Sequence, residues 1–214
     1  MICTRIAIIS FAMVCLPALT TGADLHSEVQ LLLRSPDARV SGNYELPGNA
    51  SLVEGLLQSP LVTAHLWEAY GFGPHYKVSM RGNAIHVDDP TGIQGDIYLA
   101  EQSSNRRVYF GTGALNHAFV PAFSGKMALV MTTTPKPAGV GAHVDVYIRA
   151  NSRVLGLLTR TFFALVRSKA EHRITLNVQD FSTILHDLSA APQQTSARLK
   201  NKDEIALLTK LLLH

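Results

Sequence analysis

The 214-residue chain has two cysteines, Cys3 and Cys15, and both fall within its first 23 residues. That stretch reads as an export signal. Arg5 supplies a positive start, residues 6–19 an apolar run, and Thr21 and Ala23 the small residues that precede a cleavage point after Ala23. A chain cut there has no thiol, which excludes disulfides, thiol catalysis and thiolate metal sites from the exported form. Such a domain must be held by its core, which suits a bacterial envelope better than a small disulfide scaffold. Long hydrophobic runs are missing too. The leader is shorter than the roughly 20 residues a membrane span needs, and Pro17 interrupts it. No later segment approaches that length, so a soluble or peripheral protein in the periplasm or outside the cell is expected. Lipid attachment at Cys15 is disfavoured, because Val14 stands where a small residue belongs.

Charge is scarce. Asp, Glu, Lys and Arg make up 16% of the chain, with a formal net charge of +3. So small an excess, without clustering, does not suit phosphate tracking, and no nucleic-acid partner is expected. The 47% hydrophobic content is enough for a real core and argues against disorder.

Short catalytic signatures are also absent. The chain has no HExxH and no GxSxG, and Gly111-Thr-Gly113 lacks both the third glycine and the strand–helix setting of a dinucleotide site. No metal, cofactor or defined catalytic set is expected. The best polar pair for an enzyme reading is His86 with Asp88, which share a strand face at i, i+2 and could do general base work on a hydrophobic substrate. His143 and Asp145 form a second such pair, expected on the outer surface because Val144, Val146 and Ile148 claim the opposite face. His75, His117 and His172 carry no ligand spacing.

What is present falls into four segments: the signal at 1–23, an N-terminal extension at 24–50, a central domain at 51–192, and a linker with an amphipathic tail at 193–214. In the extension, residues 24–35 suit a short helix and the Pro- and Gly-containing stretch after it a loop or one edge strand. Asn49-Ala-Ser51 matches a glycosylation acceptor, which has no bearing in a bacterial export product. Ser51-Leu-Val-Glu54 has the form of a capping box, and Ser59-Pro60 restarts a helix that Gly71-Phe-Gly73-Pro74 stops. From residue 75 to 150 the period becomes two. Strands are expected near 76–80, 84–87, 96–100, 107–110, 126–132 and 142–148, with turn residues between them and no crossover helices. The stretch from Gly113 to Gly125 suits a strand followed by an apolar loop. After an Asn151 or Ser152 cap, apolar residues at helical spacing run to Leu188, as one bent helix or two, until Ala190-Ala-Pro192 ends them.

This order predicts an α+β, helix-grip fold: a curved antiparallel sheet wrapped on a long C-terminal helix. The tract from Thr132 to Pro192, a last long strand running through an Asn-containing turn into a long closing helix, resembles the end of a START-like (SRPBCC, polyketide cyclase/dehydrase and lipid transport) domain. With the preceding meander the resemblance covers roughly residues 50–192. It implies a lipid or other apolar molecule enclosed between sheet and helix, and it carries no universal catalytic set. An exported address is atypical of that superfamily.

The residues expected to line such a gap are Trp67, Tyr98, Phe110, Phe119, Phe123, Met127, Leu129, Met131, Phe162 and Val166. The methionines suit a variable hydrocarbon, and Trp67, Tyr76 and Tyr98 would be polar handles at the rim. Arg153, Arg160 and Arg167 recur every seven residues along one face of the long helix. They could meet an anionic membrane surface or remain a solvated face. The alternatives are the enzyme reading through His86 and Asp88, and an envelope module whose 204–214 tail docks on a protein or membrane.

Overall fold

Alternation and helical spacing both survive into three dimensions. The computed structural model describes residues 22–73, 75–89, 92–117, 120–151 and 153–212. The chain runs α1 (Gly22–Arg34), β1 (Ala38–Leu46), α2 (Ala50–Gln58), α3 (Pro60–Tyr70), β2 (Lys77–Arg81), β3 (Ala84–Asp88), β4 (Ile93–Gln102), β5 (Arg106–His117), β6 (Val120–Lys136), β7 (Gly139–Ala150), α4 (Arg153–Ala190), α5 (Pro192–Ser196) and α6 (Lys202–Leu212). The strands form one antiparallel sheet in the order β1-β7-β6-β5-β4-β3-β2. Only β1 is out of sequence order, paired with β7 at one edge. The fold is α+β and helix-grip, with α4 as one continuous 38-residue helix.

Local chemistry explains the boundaries. Asn49, not Ser51, caps α2: its side-chain oxygen accepts from the Leu52 N–H at 2.7 Å, so the expected capping box does not form. Glu54 is thereby released for another task. Pro60 opens α3, and Gly71 ends it in the left-handed region at φ 68°. The stretch from Gly113 to Gly125 is not a strand and loop but the facing ends of β5 and β6, paired from Leu115–Phe123 back to Arg106–Thr132.

Register fixes which side chains share a face. One face, here the inner, carries Val140, Ala142, Val144, Val146 and Ile148 of β7 with Met127, Leu129 and Met131 of β6. The second half of α4 packs on it through Ala170 and Ile174. Towards the C-terminal end of α4 this layer merges with α2, α3 and α6 around Leu52, Leu56, Leu66, Phe181, Leu185 and Leu208. The outer face carries Val108, Phe110, Ala128 and Val130, and α1 covers it with Val29 and Leu32. Residues 193–203, read from sequence as a polar linker, hold most of α5 and the start of α6. In α6, Leu208 is fully buried in the main core, so the tail closes its own domain rather than standing free to dock elsewhere.

Candidate functional site

Following the inner face across the sheet leads to a region where, among the described residues, no apolar cluster forms. The partners run Met80–Ile85–Ile97–Gly111–Met127 in one row and Val78–Val87–Gly95–Gly113–Gly125 in the next. Leu99 continues the face opposite Tyr109. Val78, Met80, Ile85, Val87, Ile97 and Leu99 are all half-buried or exposed, Met80 by 53% and Leu99 by 36%. Among the described residues none of these six joins an apolar cluster.

Beside them lie three glycines in line on β4, β5 and β6. A Cβ on Gly95 would stand 2.5 Å from the Thr112 carbonyl oxygen, and one on Gly113 would stand 2.7 Å from that of Gln94. The strands can close in on their inner side only because those atoms are missing. The result is a stretch of backbone with no side chains on its floor, flanked by half-buried and exposed hydrocarbon.

Polar groups mark both ends. At one end Asp89 is buried and ion-paired with Arg173 of α4 at 3.3 Å, and the Arg173 guanidinium lies 5.6 Å from the centre of the Tyr76 ring. Burial raises the Tyr76 hydroxyl above its ordinary pKa; Arg173 pulls against the shift, and Asp89 adds to it. At the other end Arg107 of β5 and Glu54 of α2 form an ion pair, and Thr133 donates to the other Glu54 oxygen at 2.5 Å. Tyr109 lies between that pair and the apolar patch. Its hydroxyl donates to the Leu57 carbonyl at 2.6 Å, and burial pushes it up to about 12 against the opposing Arg107 charge. These four polar residues were not singled out from sequence as a site. From sequence, Arg106-Arg107 reads as part of a basic patch or an exposed edge strand; instead Arg107 is buried on β5, an interior strand of the sheet.

The residues expected to line the gap separate. Met127, Leu129 and Met131 are on the inner face, at its filled side against α4. Tyr98 and Phe110 are not with them. Their register pairing places both on the outer face, where Phe110 is fully buried under α1. Trp67 is not a rim group: it stacks on Phe181 at 6.2 Å within the helical core and donates from Nε1 to Asp180. Phe119 lies outside the described residues, as do the side chains of Phe123, Phe162, Val166, Arg153 and Arg160. Arg167 is exposed and ion-paired with Glu171 at 2.8 Å.

The polar pairs read from sequence lie on the outer face. His86 meets Asp96 of β4 across the strands, Nδ1 to Oδ1 at 2.7 Å, whereas Asp88 accepts from Gln94. The expected His86–Asp88 partnership is therefore replaced, and both residues point away from the inner trough. His143 and Asp145 are also outer-facing, as the alternation required. Asp145 takes hydrogen bonds from Ser41 and Arg39. Among the described residues no group of three His, Cys, Asp or Glu side chains could hold a metal, and no helix is long and apolar enough to cross a membrane.

No family model and no curated protein matches the chain. Among solved structures it is similar to a conserved protein from Geobacillus kaustophilus, with a TM-score of 0.52 and 12% identity over 71% of this chain and 97% of that one. It also matches DynU16, a protein of the dynemicin biosynthetic locus, with a TM-score of 0.47, 14% identity and 71% of this chain covered. A third match is BexL, a di-domain aromatase/cyclase of the BE-7585A biosynthetic pathway, with a TM-score of 0.42, 17% identity and 74% of this chain covered. The chain spans about half the length of those two, 48% and 54%. At these identities the likeness shows the fold alone.

Proposed function

We propose that the protein binds an apolar small molecule, a lipid or a compound of similar hydrocarbon content, on the inner face of the sheet beside α4. The observation that carries this reading is the row of half-buried and exposed apolar side chains from Val78 to Leu99, none of which joins an apolar cluster among the described residues, next to the glycine floor. A folded chain gains nothing by leaving that face open to water. Each 100 Å² of it covered by a ligand contributes about 2.5 kcal/mol before the costs of association. The binding site lies beside the methionine-bearing strand β6, whose soft side chains adapt to varied hydrocarbon shapes. Residues 1–23 direct export in this reading, so the ligand is met outside the cytoplasm.

Native mass spectrometry of protein purified without detergent tests it. The expected spectrum carries a discrete added mass in the range of a lipid, released by organic extraction. Protein without added mass that also fails to enhance the fluorescence of an apolar probe, such as the methyl ester of cis-parinaric acid, would overturn the reading.

A further inference from the structure

We propose that Arg107 is the anchor for a carboxylate on the bound molecule, so that the ligand is an apolar acid held head-down beneath α2. The inference rests on the apolar-ligand reading above and names the polar end that the ligand must carry.

The Arg107 side chain is 1% exposed, yet its hydrogen bonding is incomplete. Among the described residues only Nη1 is engaged, in an ion pair with Glu54 Oε2. Nε and Nη2 are buried and have no hydrogen-bond partner, and Glu54 Oε2 is likewise buried without one. A buried donor without an acceptor loses its water and gains nothing in return, so a fully closed guanidinium is a poor choice for clamping α2 to the sheet alone. Lysine would serve Glu54 with fewer stranded donors.

The two unpartnered nitrogens are also the right two. Nε and Nη2 form one edge of the guanidinium, where their N–H bonds run parallel. That edge matches the two oxygens of a carboxylate and makes a bidentate, charge-assisted pair.

The fork is close to the half-buried and exposed hydrocarbon of the inner face. Arg107 shares its face with Tyr109, two residues along β5, and Tyr109 is the register partner of exposed Leu99. Two residues along a strand are about 6.6 Å. An acid headed at Arg107 would therefore lay its chain over Leu99 and Ile97 towards Val87 and Val78. The Tyr109 hydroxyl does not compete for the head, because it is spent on the Leu57 carbonyl.

The test compares cis-parinaric acid with its methyl ester, by fluorescence titration of the full chain. The wild type is expected to bind the acid about tenfold more tightly than the ester, the scale of a bidentate ionic contact. Arg107→Lys keeps a charge for Glu54 but removes the fork. It is expected to bring the two affinities within about twofold while the ester binds as before. Equal binding of acid and ester by the wild type, or a preference that survives in Arg107→Lys, would overturn the Arg107 assignment and leave the apolar site standing. Failure of both probes would instead overturn the apolar site, and the anchor with it. Thermal unfolding shows whether Arg107→Lys is folded. If it is not, the paired change Arg107→Met with Glu54→Leu removes both buried ions together and is read in the same way.

Discussion

At the scale of single residues, what matters is who supplies the hydrogen bonds that water gave up. Asp145 shows the balance on the outer face. Burial on its own would raise its carboxyl, but the Ser41 hydroxyl, the Arg39 guanidinium and the nearby His143 outweigh that and hold it below its ordinary value. A carboxyl depressed by folding stabilises the protein at any pH above its unfolded pKa, and the gain is lost as pH falls through the lower folded value. Asp145→Asn should therefore cost about 1 kcal/mol at pH 7, a figure kept small by the exposure of Arg39. The gap from wild type should close as pH drops from about 4. Urea unfolding of both proteins at pH 7 and pH 3 reads this directly. An equal gap at the two pH values would mean that Ser41 and Arg39 do not hold the ionised form. The presence of Asp145 on the outer face was legible from the alternation of Val144, Val146 and Ile148. Its partners were not, because Arg39 and Ser41 are over 100 residues away and β1 is the one strand paired out of sequence order.

At the scale of elements, punctuation residues were readable and long-range docking was not. Pro60 and Gly71 bound α3 where the sequence said they would, since each acts through its own backbone. The start of α2 was harder, because two capping schemes overlap. Asn49 and the Ser51–Glu54 box are both chemically sound, and tertiary need decides: Glu54 reaches Arg107 and Thr133 only if it is not folded back on Ser51. The tail shows the same limit. Leu208, Leu211 and Leu212 gave an amphipathic helix, but nothing local says what it covers. In the structure α6 lies so close on α2 that a Cβ at Gly55 would collide with Leu211, and Glu204 is buried with its carboxylate 2.7 Å from His65 of α3. Leu208→Ala should then destabilise the whole domain by about 2–4 kcal/mol, as a core truncation does. Chemical denaturation should show one transition with a lowered midpoint. A near-neutral effect would mean that α6 is an appendage, not a part of the core.

At the scale of the whole molecule, a sheet has two faces and alternation cannot say which one an isolated helix will claim. Phe110 and Tyr98 are apolar or aromatic at strand positions, and the expected cover was the long C-terminal helix, supplemented by the helices near residues 52–70. In fact α1, from the N-terminal extension, takes the outer face, and with it Phe110, one of the residues expected to line the gap. The inner positions of β2–β4 were written in the sequence as Val78, Met80, Ile85, Val87, Ile97 and Leu99. Their partial exposure, and their absence from the apolar clusters of the described residues, appear only in three dimensions. The two faces therefore ought to fail in different ways. Phe110→Ala should cost about 3–5 kcal/mol of stability, because the side chain is fully buried and its neighbours cannot close the void. The folded fraction should still bind an apolar probe with unchanged affinity. Ile97→Asp places a carboxylate on the half-covered inner face, where it can stay hydrated in the free protein, so stability should fall by about 1 kcal/mol or less. An apolar ligand would have to strip that water, and affinity for the parinaric ester should drop by about tenfold or more. Measuring unfolding midpoint and probe affinity on both variants separates the faces. Loss of binding in Phe110→Ala with Ile97→Asp unaffected would move the ligand site to the side that α1 covers.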